Sequence, residues 1–147
     1  MIRPEVSVGR DLICRPGNIA LRCHSGRMTG RRVPEPPQRP EDLSDLFLQR
    51  ANAGDVEAVV ALYEPGAVLA FPRGRLAVGH EQIRAVYAEF LASRPALGSA
   101  GQRPAIVNGD IALTSTLLPS GGATVEIARR QPDGTWRWVI DQPSVLP

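Results

Sequence analysis

The chain has 147 residues, 43% of them apolar and 5% aromatic, a length and composition that predict one packed domain with a tail rather than a disordered protein. All 17 basic side chains are arginine, which excludes a Schiff-base amine and a phosphate-loop lysine. The net charge of +2 is unevenly spread: residues 1–40 carry eight arginines against three acids, and residues 41–147 carry nine against twelve, so the basic character argues for no nucleic-acid partner of the domain.

Residues 1–40 read as a disordered or non-native tail, with Pro34, Pro36, Pro37 and Pro40 unable to continue a helix. Met28 offers an alternative translation start. Val6–Val8 is at most a stub of strand. Both cysteines, Cys14 and Cys23, lie here beside His24, at spacings too irregular for a metal site. The domain, 41–147, then has no thiol and a single histidine, His80, so the expectation is no metal and no cofactor. No apolar run approaches the roughly 20 residues that cross a bilayer, and no secretory signal is present, so a cytoplasmic chain without a membrane partner is expected.

Helix one is expected over 41–53, with Pro40 at its first turn, Glu41 and Asp42 at the positive end of its dipole, and Leu43, Leu46, Phe47 and Ala51 on one stripe. Gly54 can close it and Asp55 can cap the next helix, whose Val56, Val59, Val60 and Tyr63 recur at helical spacing. Pro65-Gly66 reads as the stop of that helix. A hairpin follows, with strands at 67–71 and 76–78 around Arg73-Gly74. Helix three begins after Gly79 and carries Ile83, Val86, Tyr87, Phe90 and Leu91 on one face, ending before Pro95.

From 102 onward the period becomes two. Asn108-Gly109, Ser120-Gly121-Gly122 and Pro132-Asp133-Gly134 are successive turn signals, giving strands near 103–107, 110–118, 123–131 and 135–141. Three helices followed by a meander predict an α+β fold, the helices packed in a curved antiparallel sheet. In the last strand, strict alternation places Trp136, Trp138 and Ile140 on one face and Arg137, Val139 and Asp141 on the other. The tryptophans read as core or as a subunit interface.

The succession Asn52-Ala53-Gly54-Asp55, Val59 to Tyr63, Ala67-Val68-Leu69, Pro72 and Gly79, with the ending Trp136 to Pro143, resembles the nuclear transport factor 2-like superfamily. That superfamily includes ketosteroid isomerases and SnoaL-like polyketide cyclases. The resemblance covers about 41–143 and implies a cone-shaped, cystatin-like α+β barrel with an apolar pocket and a homodimer. Aligned with the isomerases, the catalytic base falls on Phe71, the tyrosine donor on Phe47 and the carboxylic acid donor on Glu126. Two of those three positions have lost their chemistry, because phenylalanine neither takes nor gives a proton.

A carboxylate at Glu126, between Val125 and Ile127, is costly unless paired or protonated. It reads either as an ion pair with Arg137 or as part of a pocket wall. Asp141 either contacts ligand or caps the strand end. Two functions follow. One is a dimeric module that binds a small hydrophobic molecule through Phe47, Phe71, Tyr87, Glu126 and Val139. The other is an isomerase-, cyclase- or hydrolase-type enzyme with Glu126 and Asp141 as catalytic residues. Glu126, Arg137 and Asp141 also match in composition the Asp-Arg-Asp set of limonene-epoxide hydrolases, by analogy alone. Convergence of two carboxylates, or of one with His80, separates the two functions.

Overall fold

The structure is a computed structural model and describes residues 35–145 except Arg73. The readings on Val6–Val8, Cys14, Cys23, His24, Met28 and Arg73 lie outside the described residues. The domain runs α1 (Asp42–Asn52), α2 (Val56–Val60), β1 (Tyr63–Leu69), β2 (Ala77–Val78), α3 (Gly79–Ala92), β3 (Gly101–Gln102), β4 (Ile106–Asn108), β5 (Ile111–Leu117), β6 (Ala123–Arg130) and β7 (Trp136–Gln142).

The helix boundaries follow local chemistry. Gly54, at φ +72°, ends α1 in a left-handed turn that costs a side-chain-free residue little. The Asp55 carboxylate then accepts from the Ala58 N–H at 3.0 Å and caps α2. Gly79 opens α3 at φ +78°, where an added Cβ would sit 3.2 Å from the Pro65 carbonyl oxygen, so only glycine fits without a shift. Along α3 the expected stripe faces inward, with Ile83, Tyr87 and Leu91 buried and Val86 and Phe90 packed at its border.

The seven strands form one sheet in the order β2-β1-β7-β6-β5-β3, with β4 sharing the outer side of β5. The fold is α+β with three helices, as the turn signals predict. One correction concerns the sheet: it is mixed, because β1 pairs parallel with β7 while every other ladder is antiparallel. That pair also corrects α2, which stops at Val60 instead of reaching Tyr63. The Trp138 N–H donates to the Leu62 carbonyl at 2.8 Å, and Tyr63 enters the sheet opposite Trp138. Tertiary pairing overrides the helical spacing. Pro65-Gly66 lies inside β1, where the register shifts between Tyr63 and Val68. Such a bulge tolerates a residue without an N–H.

A second irregularity lies in β7. Ile127 faces Ile140 while Ala128 faces Trp138, so Val139 is the extra residue of a bulge. Trp136 and Trp138 point into the core at 1% and 3% exposure, whereas Ile140 is 50% exposed on the opposite face. The expectation that the three share a face is therefore overturned, and the tryptophans are core residues. The Pro-rich segment expected to precede the domain also meets it: Pro37 and Pro40 are buried, and the Trp136 N–H donates to the Pro37 carbonyl at 3.0 Å.

Candidate functional site

On the helix-covered face of the sheet the alternation of β5 and β6 brings polar groups inside. Thr114 and Glu126 are register partners, and so are Glu126 and Asp141. Glu126 and Asp141 are each 4% exposed, and both line a cavity of about 110 Å³. Around them stand Ser44, Phe47 and Leu48 from α1, Tyr87 from α3, Thr116 from β5 and Trp138 from β7. The apolar part of the wall is aromatic, with the Phe47 ring centroid 5.7 Å from Tyr87 and 5.9 Å from Trp138.

Each carboxylate accepts a hydrogen bond from a hydroxyl. Thr114 Oγ1 donates to Glu126 Oε2 at 2.6 Å, and Tyr63 Oη donates to Asp141 Oδ2 in a short bond. With the Tyr63 proton committed to Asp141, Tyr87 is the donor in the 2.6 Å contact between the two tyrosine hydroxyls. The chain of donation runs Tyr87, Tyr63, Asp141.

Burial disfavours the charged form of every member. Asp141 is pushed up to about 7, first by burial and then by the neighbouring charge of Glu126, against the lowering effect of the Tyr63 bond. Glu126 is raised by burial, opposed by the Thr114 and Thr124 hydroxyls. Tyr63 and Tyr87 are both held well above the usual phenol range by burial, with the Asp141 charge adding to it. At neutral pH the two tyrosines are therefore neutral donors, and Asp141 lies between its two states.

Phe47, Tyr87, Glu126 and Asp141 are brought together; Phe71 and Val139 are not. Phe71 packs against Phe90 with ring centroids 5.2 Å apart. It lines a different and larger groove of about 560 Å³ between the β1–β2 connection and α3. Val139 is displaced from the cavity by the β7 bulge. Arg137 faces Arg129 across the ladder, on the side away from Glu126, so neither the Glu126–Arg137 ion pair nor the Glu126, Arg137, Asp141 set exists. His80 Nε2 lies 2.9 Å from the Tyr63 carbonyl oxygen and stays outside the cavity.

The sequence reading missed Tyr63 and Thr114 as site residues and took Trp138 for packing alone. Thr114 was recoverable, since a hairpin centred on Ser120 places it opposite Glu126. Tyr63 was not, because its partner Asp141 is 78 residues away. Among the described residues no group of three His, Cys, Asp or Glu is placed to hold a metal ion, and no helix is long and apolar enough to cross a membrane.

Helices on one face of a mixed sheet, with a cavity between them, define the nuclear transport factor 2-like architecture. The chain belongs within it to the SnoaL-like domain family, whose model matches residues 45–142. A ketosteroid isomerase-like protein from Erwinia carotovora atroseptica superposes with a TM-score of 0.59 at 18% identity, over 73% of this chain and 94% of that one. A nuclear transport factor 2-like protein with a cystatin-like fold from Novosphingobium aromaticivorans gives 0.55 at 23% identity, over 68% and 75%. A protein of unknown function with a cystatin-like fold from Nostoc punctiforme gives 0.56 at 22%, over 73% and 88%. At such identities the likeness shows the fold alone. Among curated proteins no sequence matches the chain.

Proposed function

We propose that this domain binds a small, mostly apolar molecule in the cavity between α1, α3 and the sheet, and that the polar group of the ligand meets the Glu126–Asp141 pair. The observation that carries the reading is the placement of two register-paired carboxylates, both buried, on the wall of a cavity otherwise lined by Phe47, Tyr87 and Trp138. Burying two acids without a counter-charge destabilises a fold, and a ligand is what compensates for it. The resemblance to the isomerases sets Phe71 at the position of their base, and a phenylalanine takes no proton, which supports binding without that chemistry.

A second reading is favoured by two observations: Glu126 and Asp141 converge on the cavity, the arrangement expected of the enzyme, and Asp141, at about 7, can give or take a proton near neutrality. In that reading Asp141 and Glu126 move a proton on the bound molecule. The module also acts as a homodimer through the outer sheet face. There Val78, Val68, Ile140, Ile127, Leu113 and Ile106 stand in register, one on each of six neighbouring strands. A symmetric copy covers such a row.

The test is a thermal-shift screen of small ketones, alcohols and amines, followed by Glu126→Gln and Glu126→Ala. A binding module loses about 1–3 kcal/mol of affinity with Ala; Gln keeps a hydrogen-bonding group but not the charge, so it costs little for a neutral guest and more for a charged one. An enzyme using Glu126 as proton carrier keeps binding and loses turnover with Gln. If no compound shifts the melt, or both substitutions leave binding untouched, the cavity is not the site.

A further inference from the structure

The cavity is one-sided in charge. Its wall holds Glu126 and Asp141 and neither an arginine nor a histidine. The ion pairs among the described residues, Arg39–Asp42, Arg84–Glu57 and Arg129–Glu64, all lie elsewhere. Its hydrogen bonding is one-sided as well. Hydroxyl donors from Thr114 and Thr124 reach Glu126 and the Tyr63 hydroxyl reaches Asp141, and with about two lone pairs on each carboxylate oxygen both groups keep acceptor capacity for a guest. Donation into a carboxylate favours its ionised form, while the apolar wall disfavours it. A cation inside the cavity satisfies both demands.

The rest of the wall suits the same guest. Phe47, Tyr87 and Trp138 surround the space with aromatic rings, to which organic cations are attracted by the ring quadrupole. The volume, about 110 Å³, accommodates a molecule of a few heavy atoms, a water molecule's share of liquid being about 30 Å³. Trp138, which lines the cavity, is 3% exposed and its indole N–H has no hydrogen-bond partner among the described residues, so it is a buried donor without a protein acceptor.

We propose that the polar group of the ligand is a protonated amine: the cavity takes a small alkylammonium ion, its N–H groups on Glu126 and Asp141 and its alkyl part against Phe47, Tyr87 and Trp138. This rests on the cavity being the binding site. The competing guest is a neutral ketone or alcohol, whose oxygen accepts from a protonated carboxyl and from the Trp138 N–H. One unpartnered neutral donor is outweighed by two carboxylates without counter-charge. An ammonium ion between them reverses the effect of burial and lets both ionise, so its affinity falls as they protonate. The titratable groups facing Asp141 are Tyr63 from β1, Tyr87 from α3 and Glu126 from β6, and α1 contributes none to the cavity. Both tyrosines stay neutral through this range, so the two acids alone set the pH dependence.

The experiment is a nuclear magnetic resonance titration that follows the Trp138 indole N–H with isopropylammonium chloride, isopropanol and acetone, which match in size, at constant ionic strength. Isopropylammonium is expected to bind at least about tenfold more tightly than either neutral compound, equivalent to ~1.4 kcal/mol. Its affinity should drop from about pH 8 to about pH 5.5 as the carboxylates protonate. Glu126→Gln and Asp141→Asn should each weaken it by about the same factor of ten, with amide spectra reporting that the variants stay folded. Equal or tighter binding of isopropanol or acetone overturns the ammonium assignment and leaves the cavity as a site for neutral ligands. Ammonium binding that survives both substitutions also overturns it, because the ion then sits elsewhere. If none of the three moves the indole resonance and the thermal-shift screen is empty, the ammonium assignment and the cavity reading fall together.

Discussion

The β6–β7 hairpin has two ends built on opposite plans. Near its turn, Ala128, Trp136 and Trp138 point inward and are buried, while Arg129 and Arg137 point away from the core. Past the Val139 bulge the plan inverts: Glu126 and Asp141 point inward, and Ile127 and Ile140 point outward. The first end obeys the alternation of a half-buried sheet, apolar inside and charged outside. The second end violates it on both faces at once, which packing alone does not require. A polar interior suits the proposed ligand and an apolar exterior the proposed partner, so both proposals fall on the inverted end.

The largest effect expected from this contrast is on pH-dependent stability. The folded-state value of Asp141, about 7, lies above its ordinary 3.8, so the folded chain binds the extra proton between those two pH values. Stability is therefore highest near the lower limit of that window, declines as pH rises through it, and levels off above it. The gap corresponds to about 4 kcal/mol, at ~1.4 kcal/mol for each tenfold change in proton affinity. Glu126, also raised, acts with the same sign. Urea denaturation across the window should show the decline, and Asp141→Asn should flatten most of it. An unchanged slope in that variant would mean that the inverted end is not stressed.

The outer face gives the next effect. Ile127→Asp places a charge at the middle of the aliphatic row and should loosen the proposed dimer about a hundredfold, ~2.7 kcal/mol, as read by sedimentation equilibrium. Arg137→Asp, at the conventionally built end, should change it far less. Monomeric wild type, or equal effects at both ends, breaks the contrast.

Smaller changes sharpen it. Thr114→Val removes the hydroxyl that Glu126 accepts and should cost about 1–2 kcal/mol while raising the Glu126 pKa further, readable as a steeper loss of stability with pH. At the conventional end, a chain starting at Glu41 loses the Pro37 carbonyl that receives the Trp136 N–H. It should be less stable by about 1 kcal/mol than one starting at Glu35, a drop of a few degrees in Tm.

What could be read without the structure is what local pattern encodes. The α3 stripe, the Gly54-Asp55 junction and the three turn signals place most elements, because each depends on neighbours a few residues away. Glu126 was legible as an anomaly, a charge on a strand both of whose faces are expected to be partly covered. Two kinds of error share another cause. Ile140 and Asp141 were assigned to the wrong faces relative to the tryptophans because a bulge inserts one residue, Val139, and reverses every parity beyond it. Tyr63 was assigned to a helix because its strand exists only by pairing with Trp138, far along the chain. Phe71 matched a position in a related fold, but its ring turns to Phe90 and a different groove.

The position of β7 bears on how the chain reaches this fold. It is the last strand in sequence, yet it lies in the middle of the sheet, between β1 and β6. Until it docks, the β1–β2 ribbon and the β5–β6 hairpin share no ladder, and each presents an unpaired edge. Closing the Tyr63–Trp138 pair means ordering the whole intervening loop, an entropic cost that grows with sequence separation and slows folding. The arrival of the final strand is thus the step expected to limit folding. A chain interrupted before Trp136 would retain its helices and hairpins but expose two adhesive edges, making self-association the expected fate of incomplete copies.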